Sequence, residues 1–131
     1  MQRLHISTTV REQLVDITLE VAEAVAVSGI AEGVAVVYSP HTTAGITVNE
    51  NADPDVAADL LETLRRIVPC EAGYRHCEGN SDAHVKASLV GSSAVVPIDG
   101  GRLVLGTWQG VYFAEFDGPR SRNVIVTVTP G

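Results

Sequence analysis

The stretch AVVPIDGGRLVLGTWQGVYFAEFDGPRSRNVIVTVT, residues 94–129, alternates apolar segments with turn signals. The turns are expected at DGG (99–101) and DGP (117–119), because glycine, aspartate and proline favour tight reversals of the chain. Pro97 has no N–H to donate to a neighbouring strand, so its strand is expected at a sheet edge or at a bulge. This pattern predicts antiparallel hairpins at the end of the chain.

The middle of that stretch, residues 102–116, carries apolar side chains on both alternating faces. One face has Leu103, Leu105, Val111 and Phe113, and the other has Val104 and Tyr112. A strand that is apolar on both faces is expected to be covered on both sides, and self-association fits this pattern.

Upstream of it, three segments predict helices. Thr18 is a candidate cap for a helix that ends at Gly29, and Asp53 followed by Pro54 begins a second helix that extends to Pro69. A third helix is expected between Ser81 and Gly91, while GVAVVYSP (33–40) and TAGITV (43–48) read as strands. Helices combined with a mostly antiparallel sheet predict an α+β fold, and the 131 residues fit one domain, 1–131.

In the second helix one face is expected to be apolar. It comprises Val56, Leu60, Leu64, Ile67 and Val68.

The composition of the chain disfavours several classes of partner and location. Nine basic and sixteen acidic side chains give a net charge of −7, which disfavours nucleic acid. The most apolar stretch, residues 21–38, is interrupted by charged residues and glycines, so we expect no membrane span and a cytoplasmic protein. Cys70 and Cys77 are too few for a disulfide scaffold and are expected to be reduced thiols.

Three histidines are candidates for chemistry. His41, His76 and His84 are open to two interpretations, as ligands of a divalent metal such as zinc or as ordinary hydrogen-bonding residues. Their spacing matches no standard zinc pattern.

The only lysine of the chain lies beside one of these histidines, in EGNSDAHVKASLVG (78–91). Asp82 and Lys86 are four residues apart, so they are neighbours on the third helix and fit a solvent-exposed ion pair. The alternative is that the Lys86 ammonium binds a phosphate.

A second polar run, HTTAGITVNENADPDV (41–56), places His41, Thr42, Asn49, Glu50 and Asp53 between a strand and a helix. Asp53 is explained as a helix cap, whereas Asn49 and Glu50 have no structural explanation. Side chains in this position suit an anionic ligand, because helix N-termini favour negative charge.

The roles of two further residues are each open to two interpretations. Trp108 is expected to fill the core or an interface, with a stacking platform for a ring substrate as the alternative. Arg120 either pairs with Glu115 or Asp117 or binds an anion.

Three runs together resemble a known family: SPHTTAGITVNENADPDV, YRHCEGNSDAHVKASLVGSS and LVLGTWQGVYFAEFDGPR. They are similar to the YjbQ-like family, the secondary thiamine-phosphate synthase family. The resemblance implies a β-sandwich-like core, a homotrimer and weak condensation of an aminopyrimidine pyrophosphate with a thiazole phosphate. It also implies that the family tends to keep the motif residues, which include Asp53 and Gln109.

On that basis we assign expected roles. His41, His76, His84 and Asp82 are the candidate catalytic residues, with the three histidines as the candidate metal set. Lys86 and Arg120 are candidate phosphate ligands, and Thr42, Asn49, Glu50, Trp108 and Gln109 complete the substrate site. Zinc or magnesium is the candidate metal, with Asp82, Glu50 or Glu78 as candidate oxygen ligands for a pyrophosphate-bound ion.

Two other functions compete with this one. A histidine cluster predicts a metal-dependent hydrolase or phosphotransfer enzyme. A non-enzymatic oligomer that binds a small anionic metabolite is the other alternative.

Overall fold

Two antiparallel sheets and three helices make up the protein, which we describe from a computed structural model of residues 1–131. The elements in chain order are β1 (Gln2–Ser7), β2 (Gln13–Asp16), α1 (Thr18–Ser28), β3 (Gly33–Tyr38), β4 (Ala44–Glu50), α2 (Pro54–Ile67), α3 (Ser81–Val90), β5 (Ser93–Asp99), β6 (Arg102–Leu103), β7 (Gln109–Glu115) and β8 (Ser121–Pro130). The predicted α+β class with three helices is confirmed.

The strands divide into a large sheet, β1-β8-β3-β5-β6, and a small sheet, β2-β7-β4. The hairpin predicted at 99–101 is confirmed, since Asp99 pairs with Arg102, and Gly100 and Gly101 both have positive φ. The turn predicted at 117–119 does not close a hairpin. It carries the chain from β7 in the small sheet to β8 in the large sheet.

The main core lies between the two sheets and α1. Twelve buried residues form it, among them Phe113 of β7, Val124 of β8 and Val21 of α1. The opposite face of β7 packs through Ala114 against Ala83 of α3, together with apolar side chains of α2. Strand β7 is therefore covered on both sides within one chain, which accounts for the apolar residues on both of its faces.

All three predicted helices are present, but the cap of α1 and the apolar face of α2 differ from the prediction. Asp53 caps α2 through the Asp55 N–H at 2.9 Å. Thr18 is not the cap of α1 but its first residue, and its hydroxyl donates to Asp16 at 2.6 Å and accepts from the Val111 N–H at 2.9 Å. In α2, Ile67 is 64% exposed, so it does not share the partly buried face as predicted.

The close contact between α3 and β4 positions the candidate site. The Ile46 N–H donates to the carbonyl of Gly91 at 3.0 Å, and Gly91 ends α3 with φ of 96°. A Cβ on Gly45 would lie 2.5 Å from that carbonyl oxygen. Glycine at 45 therefore allows α3 to lie against the start of β4.

No helix of this fold has the length and apolar character needed to span a lipid bilayer.

Candidate active site

A polar pocket opens where α3 meets the connection between β3 and β4. It consists of two adjoining depressions of about 520 and about 390 Å³, and both are lined by His41, Thr42 and His84. The smaller depression has no hydrophobic lining residue; its other members are Pro40, Thr43, Glu78, Asn80, Asp117, Arg120 and Arg122. We call the combined space the His41 pocket.

His41 is held by the backbone of β8. Its Nε2 accepts a hydrogen bond from the Asn123 N–H at 2.9 Å and lies 3.1 Å from the Asn123 carbonyl oxygen. Burial, together with the nearby Arg122 and Arg120 charges, outweighs the opposing contributions and lowers the pKa of His41 below its usual value. His41 is therefore a neutral imidazole at physiological pH.

The floor of the pocket contains an arginine that sequence analysis did not select. Arg122 is 5% exposed and forms a two-point ion pair with the fully buried Glu115, while its Nη2 also donates to Thr43 at 2.8 Å. Burial opposes ionisation of Glu115, but the hydrogen bonds from Arg122 and Thr8 prevail and lower its pKa. The pair is thus charged on both sides.

A second arginine lies at the rim. Arg120 donates from Nη2 to Asp117 at 3.0 Å and keeps about half of its side chain exposed, at 53%. Asp117 also accepts from the Asn80 amide at 2.8 Å. Of the two interpretations of Arg120, pairing with Asp117 is present, and the residue still lines the pocket.

The three predicted histidines do not form a metal-ligating set. His76 lies next to His84, with ring centroids 5.4 Å apart, and these two share a further depression that His41 does not line. His84 also lines the His41 pocket, whereas His76 does not. No group of three or more histidine, cysteine, aspartate or glutamate side chains is arranged to hold a metal ion. Within one chain His41, His76 and His84 are not gathered around one point, and neither are Asp82, Glu50 and Glu78, so metal binding by these residues stays a prediction.

Asp82 and Lys86 have a different position from the one expected. Both are 0% exposed, and the Lys86 ammonium donates to Asp82 at 2.8 Å and to Glu12 at 2.9 Å. Arg11 completes the cluster by donating to Asp82 at 3.0 Å. The ion pair is therefore buried rather than solvent-exposed as predicted. Neither residue lines the His41 pocket, and the phosphate contact of Lys86 stays a prediction that no contact in this chain supports.

The remaining predicted residues lie at the far end of β4. Asn49 pairs with Gly110 and Glu50 with Gln109, about 20 Å along the strand from Ala44. Trp108 is 62% exposed, so it does not fill the core of the chain, and Gln109 accepts from the Gly106 N–H at 2.7 Å. Within one chain this group does not join the pocket.

Cys70 and Cys77 are exposed free thiols.

The burial of Arg122 and Glu115 is predictable from the sequence. Arg122 has the same strand parity as Val124 and Val126, and Glu115 the same parity as Phe113, all of which are buried. A charged residue at an inward position of each of two consecutive strands predicts a buried pair.

Comparison with known proteins identifies relatives over the whole chain. The family model described as "UPF0047 protein YjbQ-like" matches residues 2–131. UPF0047 protein YugU of Bacillus subtilis is 52% identical over 127 residues, which cover 96% of this chain and 96% of YugU. UPF0047 protein MJ1081 of Methanocaldococcus jannaschii is 52% identical over 126 residues, 96% of this chain and 91% of that protein.

Solved structures of the same family have the same fold as this chain. The crystal structure of an uncharacterized YjbQ/UPF0047 family protein from Clostridium acetobutylicum has a TM-score of 0.97 and 53% identity, and the match covers 98% of this chain and 100% of that one. A YbjQ-like protein of unknown function from Sulfolobus solfataricus has a TM-score of 0.95 and 32% identity, covering 99% and 96%.

Proposed function

The chain belongs to the UPF0047 YjbQ-like family, and from that premise we propose that it is an enzyme acting on small phosphorylated substrates in the His41 pocket. The observation that carries the proposal is the lining of this pocket. Two arginines and two histidines meet there, in a protein whose overall net charge is −7. Asp117 and Glu78 line the same depression and balance the two arginines, so directed N–H donors rather than net positive charge would hold an anionic ligand there.

The reaction we propose is the condensation implied by the resemblance to thiamine-phosphate synthases. An aminopyrimidine pyrophosphate loses pyrophosphate as its C–O bond breaks, and the ring nitrogen of a thiazole phosphate forms the new C–N bond. Arg120 and Arg122 would stabilise the negative charge that builds up on the leaving pyrophosphate. His84, which lines both depressions, would exchange a proton with the aminopyrimidine.

No step is assigned to a metal. The two carboxylates that line the smaller depression are Glu78, which is on an exposed loop, and Asp117, which is already paired with Arg120 and Asn80. These residues do not fit a protein-held divalent ion. The metal-dependent hydrolase is therefore not favoured by any contact in this chain.

The test is turnover of the two thiamine precursors, measured as thiamine phosphate formed by the purified protein. We expect the His84→Ala variant to lose at least tenfold in kcat/KM, whereas His5→Ala, a histidine exposed on β1, keeps wild-type activity. Precursor binding without product formation by the wild type would contradict the enzyme and favour the metabolite-binding alternative.

We also propose that the protein self-associates as a homotrimer through the outer face of the large sheet. Val34, Tyr38 and Val95 are apolar residues on this face with exposed fractions of 37%, 43% and 63%. Sedimentation is expected to give three times the chain mass of 13.8 kDa, and Val95→Glu is expected to reduce it. A wild-type monomer at micromolar concentration would contradict the proposal.

A further inference from the structure

The guanidinium of Arg122 has one nitrogen that the fold leaves unused. Nε and Nη2 are engaged by Glu115 and Thr43, whereas Nη1 has no partner in the chain. The buried side-chain atoms without a partner are Asn80 Oδ1 and Asn123 Oδ1, so Nη1 retains access to solvent. Arg122 lines the smaller depression of the His41 pocket, which is the open space next to this side chain. A buried, rigidly held cation thus presents one free donor to the pocket.

His41 offers a second candidate donor. Its Nε2 lies closer to the Asn123 nitrogen, at 2.9 Å, than to the Asn123 carbonyl oxygen, at 3.1 Å, which favours the tautomer in which Nε2 is the unprotonated nitrogen of the ring. In the neutral imidazole the proton is then on Nδ1. Nδ1 has no partner in the chain and is not among the buried unpartnered atoms, so it too is accessible.

We propose that Arg122 Nη1 and the Nδ1–H of His41 together bind one phosphate group of the substrate. This subsite deepens the proposed function and rests on it for the identity of the full substrate. Both donors are fixed before the ligand arrives, one by Glu115 and the other by the β8 backbone. Preorganised donors of this kind bind an oxyanion strongly, because little reorganisation accompanies binding.

The charges around the subsite are compatible with a phosphate. Asp117 also lines the pocket, but Arg120 and Asn80 both donate to it. Glu78 is 74% exposed on its loop and pairs with His76 at 3.6 Å, so it can move away from the ligand. Arg120, half-exposed and already paired, is expected to assist at the rim rather than define the subsite.

The test uses inorganic phosphate as the probe, titrated into the full chain and followed by the ring 15N signals of His41. In the free wild type, His41 is expected to show the Nδ1-protonated neutral pattern, and saturating phosphate is expected to shift Nδ1. We expect Arg122→Lys to weaken binding at least tenfold, because lysine can satisfy Glu115 but has no second nitrogen directed at the pocket. The control is Arg102→Gln, an exposed arginine on β6, which should bind like the wild type.

A paired variant covers the case in which a single change at 122 prevents folding. Glu115→Leu with Arg122→Met removes both charges together, so no unpaired charge stays buried. We expect it to fold and to show no saturable phosphate binding. Wild-type phosphate affinity in this variant, an Nε2-protonated His41, or equally tight binding of acetate would overturn the proposal. Arg122-dependent phosphate binding without turnover would support the subsite and contradict the enzyme.

Discussion

Replacing Lys86 by methionine tests whether the only lysine of the chain is structural. Its ammonium is fully enclosed and contacts Asp82 and Glu12. Methionine has a similar volume and leaves no large cavity, so the change isolates the loss of charge. We expect Lys86→Met to lower stability and to leave phosphate binding in the His41 pocket intact.

The magnitude follows from the partners that remain. Removing one partner of a buried ion pair costs about 3 to 5 kcal/mol when the other charge is left alone. Here Asp82 keeps Arg11 at 3.0 Å, and Glu12 keeps Arg65 at 2.8 Å, so the loss is partly compensated. We therefore expect about 2 to 4 kcal/mol, a large fraction of the stability of a small domain.

The measurement is urea unfolding at pH 7, with phosphate titration of the same samples. The control is Arg66→Met, which removes an exposed pair with Glu62 at 3.6 Å and is expected to cost less than about 0.5 kcal/mol. A loss below about 1 kcal/mol in Lys86→Met, combined with weakened phosphate binding, would refute the structural role and restore the ligand role.

The same cluster predicts how stability depends on pH. Burial opposes ionisation of Asp82 and Glu12, but hydrogen bonds from Lys86 and the neighbouring arginines prevail and lower the pKa of each carboxylate. This stabilisation is present above the pKa of the unfolded carboxylates, near about 4, and is lost as pH falls toward the lower folded-state pKa values. Between about pH 5 and pH 2, Lys86→Met is therefore expected to lose stability less steeply than the wild type. Parallel slopes in urea unfolding at several pH values would contradict this.

Three further changes separate packing from surface roles, each measured by thermal or urea unfolding. Gly45→Ala is expected to cost about 1 to 3 kcal/mol, because the new Cβ would lie 2.5 Å from the Gly91 carbonyl oxygen; a neutral result would mean that α3 can move away. Asp53→Ala is expected to cost about 1 kcal/mol through loss of the α2 cap, and Asp53→Asn should retain most of it. Trp108→Ala is expected to change monomer stability by less than about 0.5 kcal/mol, since the side chain is 62% exposed; a larger loss would reveal a packing role.

Elements whose ends are set by neighbouring residues in the sequence were predicted correctly. The Asp53 cap and Pro54 specify the start of α2, and Gly100 with Gly101 specifies the β5–β6 hairpin. The turn at 117–119 has the same local chemistry as a hairpin, yet it joins two sheets. The choice between these outcomes depends on which strands pair with β8, and that pairing with β1 and β3 is non-local.

The sequence named some of the residues that line the pocket and missed others. His41, Thr42, His84 and Arg120 were among the predicted site residues, and all four line the pocket. Asn49 and Glu50 were selected by closeness in sequence to His41, but an extended strand of seven residues separates them in space. Closeness along a strand is a poor guide to a shared site, because each residue adds about 3.3 Å.

The two buried cations of the fold, Lys86 and Arg122, show which observation helps to assign a role to a charged residue. Lys86 attracted attention because it is unique, but its position on the inner face of α3, against Glu12 and Asp82, gives it a complete set of partners and none left for a ligand. Arg122 was not among the predicted site residues, yet its strand parity directs it inward, and Glu115 occupies only part of its donor fork. A planar group with five N–H donors can be anchored in the core and still bind a ligand, whereas a compact ammonium held by two carboxylates has little capacity left. The number of N–H donors that a buried cation leaves without a partner therefore indicates whether it can bind a substrate. The rarity of its residue type does not.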